Sequence, residues 1–290
     1  MSGSTVFWIT QLLNALQFSM LLFLLSIGLT VIFGLLHFVN LAHGALYAMG
    51  AYIGISLSLH TGSFWVALVL APVAVTLIGV VLYLLLIKRL RHAGPLSQVL
   101  VTFGLIFVFL DVIRILWGDI ALGMDPPDAL RGMTSIFGVR YPTYRLFIIG
   151  MGVLIMVVLL VTLARSQIGA MIRAGVENDK MAACLGINVE RMFFAVFCVG
   201  CALAGFAGVV AVPVLSATPG MGTDILIPAL IVVVIGGLGS LHGAILGSFI
   251  VGFMATIGAV LLPGINSVLI FAALAAILVF RPQGLIPARG

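Results

Sequence analysis

Apolar segments long enough to cross a membrane cover most of this 290-residue chain. Charged residues make up only 7% of the sequence, whereas a soluble domain has about 25%. Because a soluble fold of this length cannot bury so much apolar surface, the sequence predicts an all-α integral membrane protein. We expect a polytopic helical bundle that forms one domain over residues 1–290. The nine candidate spans are about 10–36, 41–59, 63–87, 97–117, 145–164, 191–212, 225–239, 242–262 and 266–280.

Two of these segments are expected to be interrupted or re-entrant, so that eight or nine helices cross the membrane. Segment 225–239 contains Pro228 and ends in GGLGS, which predicts that it stops short of the far side. Segment 41–59 is expected to begin within the membrane.

Lysine and arginine are distributed unequally between the two faces of the predicted bundle. If the N-terminus is outside, nine basic residues fall on the inner face and three on the outer face. Because cytoplasmic loops carry the excess of basic residues, we expect the N-terminus outside and the C-terminus in the cytosol. The inner set is Lys88, Arg89, Arg91, Arg165, Arg173, Lys180, Arg191, Arg281 and Arg289, and the outer set is Arg131, Arg140 and Arg145.

The rest of the composition argues against several classes of protein. The net charge of +5 comes from short loops between apolar segments, which does not indicate nucleic-acid binding. The N-terminal MSGSTVFWITQ has no lysine or arginine, so we expect the first helix to be retained rather than cleaved as a signal peptide. Cys184, Cys198 and Cys201 are interpreted as small packing residues, without a disulfide or metal role.

Polar residues inside the apolar segments are the candidates for a substrate pathway. Asn40 is expected to cap a helix that begins near Leu41, which places His43 in the first turn. Two interpretations remain open for this pair: a structural cap with His43 bonded to a neighbouring carbonyl, or a lining of the pathway. The same choice applies to His242. Asn14 and Gln17 lie three residues apart, so they share one helix face, and we expect their side chains to point into the bundle.

A short repeated motif includes two of these residues, His43 and His242. Residues 43–46 read HGAL and residues 242–245 read HGAI, and each motif opens an apolar segment with Gly-xxx-Gly spacing. The predicted topology runs both segments in the same direction, which would fit a parallel repeat.

The loop over residues 165–191 is predicted to contain its own short helix on the cytosolic face. Asn178 is a candidate N-cap, and Asp179 favours a helix N-terminus. Gly186 supplies a left-handed stop, while Asn188 caps the next helix with Glu190 in its first turn. The helix would expose apolar and small side chains beside charges, which suits docking to a partner. These side chains are Met181, Ala182, Ala183 and Leu185.

Four motifs in order resemble one protein family over most of the chain, most weakly over about 55–145. They are GLTVIFGLLHFVNLAHGALYAMGAYIG, RAGVENDKMAACLGINVERMFFAVFCVGCALAGFAGVV, VVVIGGLGSLHGAILGSFIVG and FRPQGL. The chain resembles the LivH/LivM-type permeases of branched-chain amino acid ABC transporters, and it is more similar to the LivH-like half. Relatives in this family also import urea, short amides or aromatic acids, so the motifs do not identify the solute.

The resemblance implies a transport subunit without enzymatic activity, located in the inner membrane. Such permeases pair with a second permease subunit, which is a related chain or a second copy. They also bind two cytosolic ATPases, which hold ATP and magnesium, and an outer substrate-binding protein; this chain itself would carry no cofactor. The implied substrate pathway is lined by Asn40, His43, Asn14, Gln17 and His242. The implied coupling helix, which docks on the ATPase, comprises Arg173, Gly175, Glu177, Asp179, Ala182, Ala183 and Gly186.

The sequence contains no ATP-binding loop of its own. A Walker A motif needs a lysine after a glycine, and neither Lys88 nor Lys180 follows one. The main alternative is an ion-coupled secondary transporter, which would usually carry intramembrane carboxylates. Asp111 is the one clear candidate and is expected to pair with Arg114, while Asp224 is placed at an outer boundary. A channel and an intramembrane protease are further alternatives. A serine protease needs a serine and a histidine that face each other, but Ser240 and His242 are two residues apart and would not do so on a helix.

Overall fold

A computed structural model describes residues 3–286 of the chain, except residues 37, 39, 91, 92 and 137. The basic residues Arg91 and Arg289, which the prediction of orientation uses, therefore lie outside the described residues.

Helices dominate the described part of the chain, as the long apolar segments predict. A π-helical turn at Tyr83–Ile87 joins α3 to α4, a 3-10 turn lies at Asp128–Leu130, and Met133–Ile136 (β1) pairs antiparallel with Val139–Pro142 (β2). The α-helices are α1 Gly3–Leu36, α2 His43–Thr61, α3 Phe64–Leu82, α4 Lys88–Leu90, α5 Pro95–Trp117, α6 Thr143–Arg165, α7 Gln167–Glu177, α8 Asp179–Cys184, α9 Val189–Leu215, α10 Met221–Gly236, α11 Leu241–Leu261 and α12 Asn266–Phe280.

Each of the nine predicted segments corresponds to a helix, and the prediction of an all-α membrane protein is confirmed. Within the described residues, 6 helices are long and apolar enough to cross a membrane: α1, α3 continued to Leu90, α5, α6, α9 and α11. Met221–Gly236 and Val268–Phe280 are apolar but shorter. α10 is shorter than a full crossing, as expected for segment 225–239, but the shortfall lies at its start, inside the bundle, and not at its end as predicted.

The centre of the bundle is α1, which packs against α6, α9, α10 and α11. Its middle is buried on every side, as expected for a helix that is apolar all round. Three buried hydroxyl groups interrupt this surface, and each donates a hydrogen bond to the backbone carbonyl of a residue one turn earlier in the helix. Ser19 donates to Ala15 at 2.7 Å and Thr30 donates to Ser26 at 2.7 Å, so burial leaves these groups satisfied.

Small residues let α2 and α9 lie with their backbones in contact. A methyl group added at Gly50 would lie 2.5 Å from the Cα of Gly205, and one added at Gly54 would lie 2.8 Å from Val209. Both contacts advance along the two helices together, so α2 and α9 run parallel. The hydrophobic effect does not drive helices together within lipid. Van der Waals contact at this close approach stabilises the helix pair instead.

The bundle has two distinct ends. The first, called here the hairpin end, carries β1 and β2 between α5 and α6. The second, called the basic end, carries α7 and α8 together with the Lys88–Glu190 ion pair.

Arg114 lies at the hairpin end and forms two ion pairs. It is 3.9 Å from Asp111, which is the predicted partner, and 3.2 Å from Asp119. The predicted pairing of Asp111 is therefore confirmed, and the structure adds a second and closer carboxylate.

We expect Gly50→Ala to lower the stability of the folded chain because the added methyl group must push α2 away from α9. Overpacking of this kind costs about 1–3 kcal/mol. Thermal unfolding in detergent micelles would measure the shift. Gly104→Ala in α5 is the matched control, since a methyl group there meets nothing within 4 Å. An unchanged midpoint for Gly50→Ala would contradict the packing described here.

Candidate functional site

The chain turns back into the bundle between α1 and α2. α1 ends at Leu36, yet the side chain of His43, the first residue of α2, lies beside Gly28. Gly28 precedes the end of α1 by eight residues, or about 12 Å of helix. Asn40 in the connection is buried. Segment 41–59 therefore begins inside the bundle, as predicted.

The start of α2 differs from the predicted one. The helix begins at His43 rather than near Leu41, and its N-cap is Ala42, which makes no side-chain cap hydrogen bond. Asn40 contributes its backbone carbonyl, which accepts a hydrogen bond from the His43 amide at 3.3 Å. The prediction of Asn40 as a side-chain cap is wrong because a turn over residues 41 and 42 separates it from the first helical residue.

His43 is fully buried between α1 and α9. Its Nε2 lies 3.1 Å from the carbonyl oxygen of Leu25, so Nε2 is the donor if the ring is neutral. Among the described residues no hydrogen-bond partner lies at Nδ1. The ring thus makes the carbonyl contact of the structural interpretation and leaves its other nitrogen without a partner in this part of the chain.

α10 also starts inside the bundle, against the start of α2. A methyl group at Gly44 would overlap the carbonyl oxygen of Gly222, and one at Gly222 would lie 2.5 Å from the carbonyl oxygen of Gly44. The first turns of the two helices therefore touch through their backbones. Asp224 belongs to this first turn of α10. Its expected place at an outer boundary is wrong, because the segment after α9 descends into the bundle before α10 begins.

The similarity between the HGAL and HGAI motifs is explained by helix packing. A methyl group at Gly243 would overlap the carbonyl oxygen of Gly236, so the second motif touches the end of α10 as the first touches its start. Gly252 contacts Ser19, and Gly239 contacts Gly34, which makes α11 antiparallel to α1. α2 and α11 consequently run in the same direction, as expected.

The other predicted pathway residues occupy three different environments. Asn14 accepts hydrogen bonds from the Tyr141 hydroxyl at 3.0 Å and from Arg145 at 2.6 Å, so it ties α1 to β2 and α6. Burial raises the pKa of the Tyr141 phenol, against the opposing effect of Arg145, and keeps it a donor. Gln17 is buried in α1, whereas His242 is exposed in the first turn of α11. The structure does not bring these residues together, and their pathway role stays a prediction.

A cavity of about 860 Å³ opens at the hairpin end. This volume is in the usual range for small-molecule pockets, about 300–1,000 Å³. Its walls come from the end of α2, the start of α3, the loop over 123–131 and the end of α9. Arg131 in this wall pairs with Asp125 at 3.2 Å and with Asp128 at 3.1 Å. Sequence reasoning missed the cavity, although the proline- and aspartate-rich loop was a signal for it.

At the basic end, three side-chain caps define the connection from α6 to α9. Ser166 accepts a hydrogen bond from the Gly169 amide, Asn178 accepts one from Met181 at 2.9 Å, and Asn188 accepts one from Arg191 at 2.9 Å. Gly186 has a φ of 85° and stops α8 in the left-handed region. The predicted caps and stop are confirmed. The structure adds α7, a second helix in this connection that the sequence analysis did not delimit.

α7 and α8 present one outward surface, called here the α7–α8 surface. Met181 is 58% exposed and Leu185 is 75% exposed, whereas Ala182 is 1% exposed. The Arg173 guanidinium donates a hydrogen bond to the Leu163 carbonyl at the end of α6. Of the seven predicted coupling residues, Gly175 and Ala182 are buried, and the exposed ones are Arg173, Glu177, Asp179, Ala183 and Gly186.

The chain is similar over almost its whole length to known transport proteins. Residues 11–279 match the family described as branched-chain amino acid transport system, permease component. BraD, the high-affinity branched-chain amino acid transport system permease protein of Pseudomonas aeruginosa, is 29% identical over 96% of this chain and 95% of its own length.

Two related proteins of Escherichia coli K12 carry the same description. LivH is 27% identical over 99% of this chain and 97% of its own length. LivM is 28% identical over 93% of this chain and 68% of its own length. No solved structure matches the chain.

We expect Ala182→Leu to destabilise the α7–α8 surface by about 1–3 kcal/mol, because the larger side chain must enter a closed site. Ala183→Leu, one residue away and exposed, should change stability by less than about 0.5 kcal/mol. Limited proteolysis of the 165–191 connection and thermal unfolding would measure the two effects. Equal behaviour of the two variants would contradict the orientation of α8.

Proposed function

The chain belongs to the family of permease components of branched-chain amino acid transport systems, and from this membership we propose that it is the membrane-spanning subunit of an ATP-driven importer. Its substrates are branched-chain amino acids, as the names of its relatives indicate. The energy comes from two cytosolic ATPase chains, which bind ATP and magnesium. A second permease subunit, either a related chain or a second copy, completes the membrane part.

The observation that carries the coupling proposal is the α7–α8 surface. A connection without a partner would bury its apolar side chains or replace them with polar ones, yet Met181 and Leu185 point outward beside Glu177 and Asp179. Ser166 caps α7, Asn178 caps α8 and Gly186 ends α8, so local contacts define both helices. A preformed, exposed pair of short helices suits insertion into a groove on a partner.

We place the substrate route between the hairpin end and the meeting point of α2 and α10. The cavity at the hairpin end would receive the solute from an outer substrate-binding protein. Asn40 and His43 at the start of α2 would border the route farther in, with Asn14, Gln17 and His242 as further candidates. Helices that start within a bundle commonly form such sites in transporters, because their unpaired backbone groups need protein or water as partners.

The proposed setting is the inner membrane with the hairpin end outside and the basic end in the cytosol. Seven of the basic residues assigned to the inner face are described. Six of them lie in or next to α4, α7, α8 or the start of α9, and the seventh, Arg281, follows α12. The inequality of charge between the ends supports this orientation.

An ion-coupled carrier is the second candidate function, since Asp224 lies in the first turn of α10 inside the bundle. Such carriers use intramembrane carboxylates to bind protons or sodium. The two functions differ in what the purified chain does alone. A carrier accumulates solute without companion proteins, whereas an importer subunit does not.

We expect charge reversal at Glu177 or Asp179, or Ala183→Trp, to uncouple ATP hydrolysis from uptake. These changes alter the α7–α8 surface without entering the core. In proteoliposomes that contain the chain with its ATPases and binding protein, ATP-driven leucine uptake should fall at least about tenfold, as for the loss of a desolvated hot-spot contact.

Ala121→Trp is the matched control, because Ala121 is exposed at the hairpin end. Normal uptake by all three surface variants would discard the docking assignment. Uphill uptake by the chain without ATPases would instead favour the ion-coupled carrier.

We expect a cysteine at position 128 to react with a membrane-impermeant thiol reagent added outside intact cells, and one at position 180 to react only after permeabilisation. Both substituted residues, Asp128 and Lys180, are exposed. The background would replace Cys184, Cys198 and Cys201, since Cys184 is itself exposed. The reverse labelling pattern would overturn the proposed orientation.

A further inference from the structure

Asp224 is an exposed carboxylate far from both ends of the bundle. It lies two residues after Gly222, which touches Gly44 at the start of α2. From Gly44, α2 continues to Thr61, about 26 Å toward the hairpin end. The neighbouring part of α1, at Gly28, is about 12 Å from the basic end of that helix. Asp224 therefore belongs to the interior of the membrane rather than to a boundary.

A carboxylate at this depth does not face lipid, because a charge in hydrocarbon is strongly unfavourable. Within the described part of the chain no cation lies within ion-pair distance of Asp224. The partial positive charge of the α10 start favours a carboxylate in the first turn but does not neutralise a full charge. The exposed side of Asp224 must consequently meet water, a cationic solute or the second permease subunit.

An exposed polar strip connects this carboxylate to the cavity at the hairpin end. Ser216 lines the cavity, and after it the chain descends as an irregular segment that exposes Thr218 before α10 begins. Ser216 has a φ of 57°, a positive value that residues other than glycine rarely adopt. Irregular backbone at membrane depth is stable only where protein covers it or where it lines water. Because Ser216 and Thr218 are exposed, the strip fits the second case.

An apolar side chain completes the strip. Ile227 follows Asp224 by three residues, so the two share one face of α10, and Ile227 is 53% exposed. A single carboxylate beside an exposed aliphatic side chain matches a solute that carries an ammonium group and a branched apolar chain.

We propose that Asp224 receives the ammonium group of the transported amino acid, and that Ser216, Thr218 and Ile227 form the wall of the route that leads to it. The proposal rests on the proposed function as an amino-acid importer and adds a substrate contact to it. Asp224 contacts the solute during passage, whereas the outer binding protein contacts it before delivery.

The test uses the complete complex in proteoliposomes, with the binding protein saturated with leucine. Asp224→Asn should lower the maximal rate of leucine uptake at least about tenfold. The loss of a hydrogen bond between two charged groups weakens binding by about tenfold to a hundredfold. The binding protein should still assemble with the complex and stimulate its ATP hydrolysis. Asp224→Glu should restore part of the uptake. Asp111→Asn is the control, because Arg114 keeps Asp119 as its partner.

A second measurement examines access to the site. In a background without native cysteines, Asp224→Cys should react with a water-soluble cationic methanethiosulfonate, and transported leucine should slow the reaction. Unchanged uptake by Asp224→Asn would overturn the proposal, as would reaction of the cysteine with lipid-soluble reagents alone. Failure of Asp224→Asn to assemble, together with an unreactive cysteine, would make Asp224 a subunit contact and also overturn it. If the unmodified complex accumulates no amino acid, the proposed function itself fails.

Discussion

Contact between the first turns of α2 and α10 requires glycine at both touching positions, Gly44 and Gly222. Lipid does not drive helices together, so this close backbone approach supplies the packing that holds two helix starts within the bundle. A helix start leaves several backbone N–H groups without partners in its own helix, and hydrocarbon offers none. The irregular segments that lead to these starts must therefore lie in protein or beside water. The cavity at the hairpin end and the exposed Asp224 follow from the same arrangement.

The two ends of the bundle differ in how their connecting segments are held. Side-chain hydrogen bonds to α1 hold the hairpin end, whereas short capped helices form the basic end. At the hairpin end, Asn14 joins α1 to β2 and α6 through two hydrogen bonds, so a residue predicted for the pathway also holds the hairpin end together. At the basic end, the α7–α8 surface is exposed, and side-chain caps start both of its helices. The proposed docking of an ATPase uses this surface, because its exposed apolar side chains suit a groove on a partner.

Local signals in the sequence were sufficient for the caps and the glycine stop around α8. Asn178, Gly186 and Asn188 cap and stop helices through contacts within a few residues, and their roles are confirmed. The same logic fails at Asn40, where the chain folds back and a turn precedes the helix. It also cannot separate Ala182 from Ala183, since the orientation of a six-residue helix depends on what it packs against. Asp224 appeared to lie at a boundary because a linear reading does not show that the chain descends before α10.

The sequence by itself determined the class of protein, the positions of the nine helical segments and the helix caps at the basic end. These depend on apolar composition, on spacing along one segment and on hydrogen bonds between near neighbours. Only the tertiary structure decided which helix starts meet inside the bundle, where the cavity opens and which face of α8 is exposed. The first two features arise from contacts between residues far apart in the sequence, such as Gly44 with Gly222, and the third arises from the packing of α8 against α7 and α9. The spacing of residues within a single segment does not encode them.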